Sequence, residues 1–402
     1  MTQTNLGTLL IDGLILIMLL HLSFEVYAGY YQGIAVQKVY FNFLAAWVIL
    51  LLLTCLKLFL IDSNPFTERL LGVRNNLLYM LPFLYAPLFF KSEDSIANIV
   101  RLLLSLSLVL VFFSIAQFYL GFQLPKSLLV LRGEEVFSFY QTTIVRPTAL
   151  LGNTIIFASF TLIIFALYLA KYYYVGRKRY LLILAVVGFS NILTLTRASI
   201  TGLAIVIVVC FFLYYLKPTL LFVLRFTGLV LLMAVIVWGT IRSFEDTFFV
   251  QRLTGEEVTS QGSTAVHYQQ LEESTNYFKT NYLAGAGVGS QGASGNPATK
   301  IITDGFWMQI IVENGVVLGI LYILFHVAAA LFALRAFFKS DSLQLRQLSM
   351  AFVAFSAYFF AASILNSGFA GRANFISYWL LFGVLLAQYI IVQKSRHALP
   401  RP

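Results

Sequence analysis

Uninterrupted apolar runs of bilayer length recur from one end of this chain to the other, and no other feature limits its fold so tightly. A helix of about 20 apolar residues crosses the hydrocarbon layer with every backbone N–H and C=O bonded internally. Such runs are read near residues 6–27, 40–61, 76–90, 97–121, 150–172, 180–195, 198–216, 219–239, 306–334, 347–366 and 374–393, about eleven in all. A membrane barrel is excluded, because its strands alternate apolar and polar positions while these runs are continuous. Composition agrees: 59% of residues are hydrophobic and 11% are charged, against roughly 25% charged in a soluble domain. The expected fold class is therefore an all-α polytopic membrane protein with about 11–12 transmembrane helices, forming one integral membrane domain over residues 1–402. The run 76–90 is short and holds Pro82 and Pro87, so a kink or a displaced boundary is expected there.

The net charge is +10, and its placement says more than its sign. Lys171, Arg177, Lys178 and Arg179 crowd the loop "KYYYVGRKRY"; Arg335, Lys339 and Arg346 crowd a second; Lys394, Arg396 and Arg401 crowd the C-terminal tail. The bias of basic residues toward cytoplasmic loops puts these three places inside. Nucleic acid is not expected as a partner, since the basic residues sit in short loops between spans. Threading outward from them places 122–149, the "LTRAS" junction, 240–305 and "GFAGRANF" on the outer face, and leaves the side of the N-terminus open. Cys55 and Cys210 both fall in apolar runs and read as packing. The N-terminus reads as a first membrane helix rather than a cleaved signal.

One connection differs from the rest. Residues 240–305 are a polar stretch, and a loop of that length has a task or is disordered. Within it "STAVHYQQLEESTNYFKTN" has helical character, fitting a short amphipathic helix on the outer membrane surface, and the glycine-rich "GAGVGSQGASG" follows. Its alternating glycines read as a flexible loop or as a backbone nest for an anion, not as a dinucleotide fingerprint, because no βαβ unit surrounds them.

The outer face carries Arg132, Arg146, Arg197, Arg242, Arg252 and Arg372, on the side where basic residues are ordinarily scarce. A guanidinium grips phosphate through a planar fork of donors, so an anionic ligand at the membrane boundary is the natural occupant; lipid headgroups or solvent are the plainer one. Arg146 precedes Pro147 in "IVRPTALLGN", and Arg197 lies in "TLTRAS" between two apolar runs, too deep to stand without a partner or a cavity. His267 is a base or carboxylate partner, or an ordinary surface histidine. The acidic pairs Glu245/Asp246, Glu256/Glu257 and Glu272/Glu273 lack ligand spacing and read as solvated, so no metal is expected. In "TDGFWMQIIVENGVVLG" Asp304 stands at the outer mouth of a long apolar helix, as an N-cap, a base or both. Glu313 lies roughly 13 Å farther along and reads as a buried structural acid or as support for the site. Gly315 and Gly319 are spaced for close approach of a neighbouring helix.

These segments together resemble the bacterial O-antigen polymerase and ligase superfamily, and the polymerase (Wzy-type) branch in particular. "TLTRAS" with Arg197 looks like the family's SRG/SRA segment. "RPTALLGN" with Arg146 looks like its RPxGxxGN segment, with Ala149 where glycine is common. "NYLAGAGVGS" looks like its hPllGvGlG segment. The ligases carry His, then an amide or hydroxyl residue, then nine residues, then Gly; here Asp304, Gly305 and Gly315 hold that spacing, with the first two identities changed. The departure points away from the ligases. An arginine is often found early in the family's long loop, and either Arg252 or His267 takes that place here.

The resemblance implies a glycosyltransferase that moves a growing glycan from undecaprenyl diphosphate onto the next lipid-linked repeat unit, outside the plasma membrane, with no nucleotide sugar, cofactor or metal. Its partners would be undecaprenyl-diphosphate-linked oligosaccharides, membrane lipids and a chain-length regulator protein. On this reading Asp304 is the catalytic base, Arg146, Arg197, Arg252 and Arg372 bind diphosphate, and His267 or Glu313 gives support. The 240–305 loop, with its short helices, forms part of the site. The alternatives are an O-antigen ligase and a transporter or flippase for an anionic lipid-linked glycan. The last would need charge inside the bundle, where Glu313, Arg225 and Arg101 are the evident groups.

Overall fold

The computed structural model describes residues 13–24, 38–129, 136–139, 142–215, 258–291, 305–364 and 372–398, with scattered positions between 224 and 251 and Asn366. Asp304, Arg252, Arg132, most of the run 219–239 and much of the long loop lie outside the described residues. In chain order the elements are α1 (Gly13–Phe24), α2 (Lys38–Leu60), α3 (Phe66–Asn76), α4 (Pro82–Phe89), α5 (Glu93–Leu120), α6 (Lys126–Leu129), β1 (Val136–Phe139), β2 (Thr142–Val145), α7 (Thr154–Val175), α8 (Arg179–Leu193), α9 (Arg197–Tyr214), α10 (Val258–Asn281), α11 (Phe306–Lys339), α12 (Leu343–Ala362) and α13 (Arg372–Ala398). Among the described residues α2, α5, α7, α9, α11, α12 and α13 are long and apolar enough to cross a membrane, and α1 and α8 are shorter apolar helices. The chain is an all-α polytopic membrane protein.

Two of the expected spans change. The run 76–90 is not one helix: α3 ends at Asn76, a 3-10 turn covers Leu78–Met80, and α4 starts afresh with Pro82 in its first turn. Eight residues rise about 12 Å, well short of the bilayer core. Proline lacks the N–H a continuing helix needs, and this is where the run divides. The run 180–195 is the 15-residue α8. An antiparallel hairpin, β1–β2 with Val136 opposite Val145, was also not expected. Its "VFSFYQTTIV" is rich in β-branched and aromatic residues, but it is too short to announce itself among apolar runs. The helical reading of the long loop holds, over α10.

The described chain falls into two compact units. The first comprises Met1–Arg101, Glu273–Ser349 and Ala370–Pro402. Within it α2 is apolar on every side, and two different surfaces use that. Ile49, Leu52, Leu56 and Phe59 form an exposed stripe suited to lipid, while Trp47, Leu50, Thr54 and Leu58 are buried in protein. The polar atoms mark the protein side: Trp47 Nε1 donates to the Leu77 carbonyl at 3.3 Å, and Thr54 Oγ1 lies 3.2 Å from the Tyr322 hydroxyl. Phe83, Phe325 and Trp379 pack with ring centroids 5.3–5.7 Å apart and tie α4, α11 and α13 together.

The second unit comprises Leu102–Glu272 and Met350–Phe369. Here α7 starts on Asn153, whose Oδ1 accepts from the N–H groups of Ile155 (2.7 Å) and Ile156 (3.2 Å). Buried polar side chains join the helices: Asn191 of α8 donates to the Ala158 carbonyl (2.8 Å) and to Thr161 Oγ1 (2.6 Å) of α7, and Ser159 pairs with Tyr358 at 2.9 Å. In an apolar surrounding such bonds, rather than hydrophobicity, tell one helix face from another.

Candidate functional site

In the first unit the site is built around an interruption in α11. Gly315 has φ 75° and ψ 175°, a conformation essentially confined to glycine. The helical ladder stops there, and the loop 282–291 fills the gap. Ala286 N–H donates to the Val312 carbonyl (2.7 Å), and Val316 N–H donates to the Tyr282 carbonyl (2.7 Å). The approach is so close that a Cβ on Gly315 would lie 2.0 Å from the Leu283 carbonyl oxygen. The expected role of Gly315 and Gly319, contact with a neighbouring helix, is thus replaced. Gly315 meets the loop, and Gly319 meets Ile311 of its own element.

The glycine-rich loop is a built structure rather than a flexible one over 285–291. Gly285, Gly287 and Gly289 have φ of 69°, 99° and 76°, an alternation that turns successive N–H groups toward common acceptors. On one side Val288 N–H donates to Asp62 Oδ2 (2.9 Å), and Asn64 Nδ2 donates to the Val288 carbonyl (3.0 Å). Asp62 is ion-paired with Lys57, both nearly buried, and Arg69 donates to the Leu58 and Asp62 carbonyls. On the other side stands Glu313, 1% exposed. Its Oε1 accepts from Gln291 N–H (3.2 Å) and from Gln309 Nε2 (3.2 Å); its Oε2 accepts from Asn76 Nδ2 (2.8 Å); the Gly289 N–H is a further donor. Every partner donates, which is the pattern of an acceptor-only carboxylate. The anion nest anticipated in the sequence exists, and the anion in it is the protein's own.

Close to the same end of α3, the Tyr79 ring is shared by two guanidinium groups, Arg74 with its Cζ 5.8 Å and Arg372 with its Cζ 5.6 Å from the ring centroid. Arg372 opens α13 and is half-buried. The helix that follows Asp304 is capped by Gly305, which is extended and whose carbonyl accepts from Gln309 N–H (2.8 Å). The cap position is therefore one residue beyond Asp304, because α11 takes its first helical turn from Phe306.

In the second unit Arg146 is 8% exposed. Its Nε donates to the Thr194 carbonyl (2.7 Å) and its Nη2 to Thr196 Oγ1 (2.9 Å). Those two threonines flank Leu195, which has the unusual φ of 52°, and Arg197 is the first residue of α9, half-buried. Arg146 thus braces the turn from which Arg197 starts. The Arg146 segment is itself fixed: Gln117 Oε1 accepts from the N–H groups of Thr148 (3.1 Å) and Ala149 (2.8 Å), the latter at φ 44°. Backbone strain gathers at both arginine-bearing segments, as it does at functional sites.

So Arg146 with Arg197 lie in one unit, and Glu313 with Arg372 in the other. His267 lies on α10. Asn76, Gln291, Gln309 and Arg74 were not singled out in the sequence. Gln309 was findable, being four residues before Glu313 on one helical face; Asn76 stands 237 residues from its partner and was not. Among the described residues no three His, Cys, Asp or Glu side chains gather as a metal ion would require.

A family model described as O-Antigen ligase matches residues 180–323, a little over a third of the chain. No curated protein matches. The matched stretch contains Arg197, Arg252, His267, Asp304, Glu313 and Gly315. It supports the O-antigen ligase and polymerase superfamily and a ligase- or polymerase-type glycosyltransferase function, without separating the two.

Proposed function

We propose that this protein polymerises lipid-linked glycan repeat units at the outer face of the plasma membrane. The hydroxyl oxygen of the acceptor repeat unit attacks the anomeric carbon of the donor glycan, and the bond from that carbon to the diphosphate oxygen breaks. Undecaprenyl diphosphate leaves with the bonding electrons, and Asp304 takes the proton of the attacking hydroxyl. Arg197 and Arg372 neutralise charge on the diphosphate as it departs, with Arg252 or His267 contributing from the long loop and Arg74 standing beside Arg372. No metal ion or nucleotide sugar enters the scheme. The observation that carries this reading is the family match over 180–323. The carboxylate at 304, ahead of Gly315 at the spacing the ligases give to histidine, favours polymerase over ligase.

The test is purified protein in proteoliposomes supplied with lipid-linked repeat units. A ladder of products is the expected result, and the absence of any transfer overturns the reading. The description of the matching model favours a second possibility, a ligase, which would give one transfer of finished glycan to a different acceptor and no ladder.

Arg146 acts on this scheme through Arg197. Arg146→Lys keeps the charge but loses the planar fork that serves Thr194 and Thr196 together. Charge-assisted bonds of this kind contribute about 1.5–3 kcal/mol each, so turnover is expected to fall by roughly 10- to 100-fold. Arg197→Lys combined with Arg146→Lys is expected to cost less than the two single changes added. Full additivity in initial rates would mean that Arg146 meets substrate independently.

A further inference from the structure

Four N–H groups of the described glycine loop end on acceptors elsewhere in the protein: Ala286 on the Val312 carbonyl, Val288 on Asp62, Gly289 and Gln291 on Glu313. The loop's chemistry is turned inward, and the charge that organises it is Glu313.

A single atom joins two distant pieces of chain. Glu313 Oε1 accepts from Gln291 N–H of the glycine loop and from Gln309, one turn inside the start of α11. The stretch between them carries Asp304. Its two ends therefore meet on one carboxylate oxygen, and Oε2 ties the same carboxylate to Asn76 at the end of α3. We infer that Glu313 is a positioning residue: it is the resident anion of the glycine-loop nest, and by seating Gly289–Gln291 on α11 it fixes the two ends of the segment that presents Asp304. Glu313 itself is enclosed and does not touch substrate. The loop-seating role stands on the geometry alone; its effect on turnover rests on the reaction proposed above.

Glutamine has the shape of glutamate but puts an NH2 group where these donors converge, so at least one donor faces another. Aspartate keeps the charge on a shorter arm. The experiment is hydrogen–deuterium exchange on the full chain in detergent or nanodiscs, read by mass spectrometry. In Glu313→Gln the amides of 285–291 are expected to exchange at least 10-fold faster, with α7 unchanged, and Glu313→Asp is expected to restore most of the protection. If Glu313→Gln does not yield folded protein, Gln309→Ala removes one donor, keeps the carboxylate and is expected to give a smaller rise at the same amides. Unaltered exchange at 285–291, or Asp and Gln variants that exchange alike, overturns the assignment, whether or not glycan transfer is detected. Where transfer is measured, kcat is expected to fall at least 10-fold in Glu313→Gln with KM within about threefold of the parent. A loss confined to KM would make Glu313 a binding group and overturn the positioning role.

Discussion

Asp304→Asn is expected to lower the initial rate of ladder formation by about 10²- to 10⁴-fold, the range that a positioned general base contributes. The substitution keeps the size of the side chain and its ability to accept a hydrogen bond, and it removes the basic oxygen. In the proposed reaction the arginines hold the lipid-linked donor, so its binding should change little and the loss should appear in kcat. Asp304→His provides a second discriminating result. The ligases resembled here have histidine at the matching place, and imidazole is a competent base near neutral pH. The His variant is therefore expected to retain much more activity than the Asn variant. Equal rates for the parent and Asp304→Asn would remove Asp304 from the chemistry and direct attention to His267.

Gly315→Ala is expected to produce the largest loss of stability of any single methyl addition described here. Two costs combine at that position. The backbone, at φ 75° and ψ 175°, is in a region essentially closed to residues with a Cβ, a strain of about 1–3 kcal/mol. The added methyl would also lie 2.0 Å from the Leu283 carbonyl oxygen, an overpacking that typically costs a further 1–3 kcal/mol or so. The carbonyl cannot withdraw freely, because its neighbour Tyr282 accepts from Val316 N–H. Folded yield and melting temperature in detergent measure the effect. Gly188→Ala is the matched control. Its Cβ would meet only Phe165 at 3.5 Å, an ordinary contact, within α8, and a helical glycine gains up to about 1 kcal/mol on becoming alanine. A Gly315→Ala protein as stable as the Gly188→Ala one would show that the break in α11 is not required by the fold.

The helices were legible because apolar length is a strong signal and each residue contributes to it. Asp304 and Arg197 could be picked out because each breaks a local rule, an acid or a base beside a membrane span, and Gly315 because of its spacing from Gly319 and from Asp304. What they do was less legible, because partners are chosen in three dimensions. Arg146 looked like a ligand for phosphate, yet its Nε is given to a backbone carbonyl, and carbonyls leave no mark in a sequence. The glycine run read as a flexible loop or as a nest, and what decides between them, the carboxylate of Glu313, lay beyond it in the chain, in α11. The division of 76–90 was hinted at by Pro82 and Pro87, but apolar content was equally high on both sides of it, and hydropathy cannot tell a short buried helix from part of a span.

The distance between Asn76 and Glu313 along the chain also sets a schedule. At typical synthesis speeds, 237 residues take on the order of tens of seconds to emerge. During that interval α2 and α3 exist without the loop they will hold, and the carboxylate of Asp62, destined for a nearly water-free place, has no Val288 amide to face. Lys57 is five residues away and is made before it. Their ion pair is local and can form at once, holding the charge of Asp62 in check until the last third of the protein arrives to complete the seat.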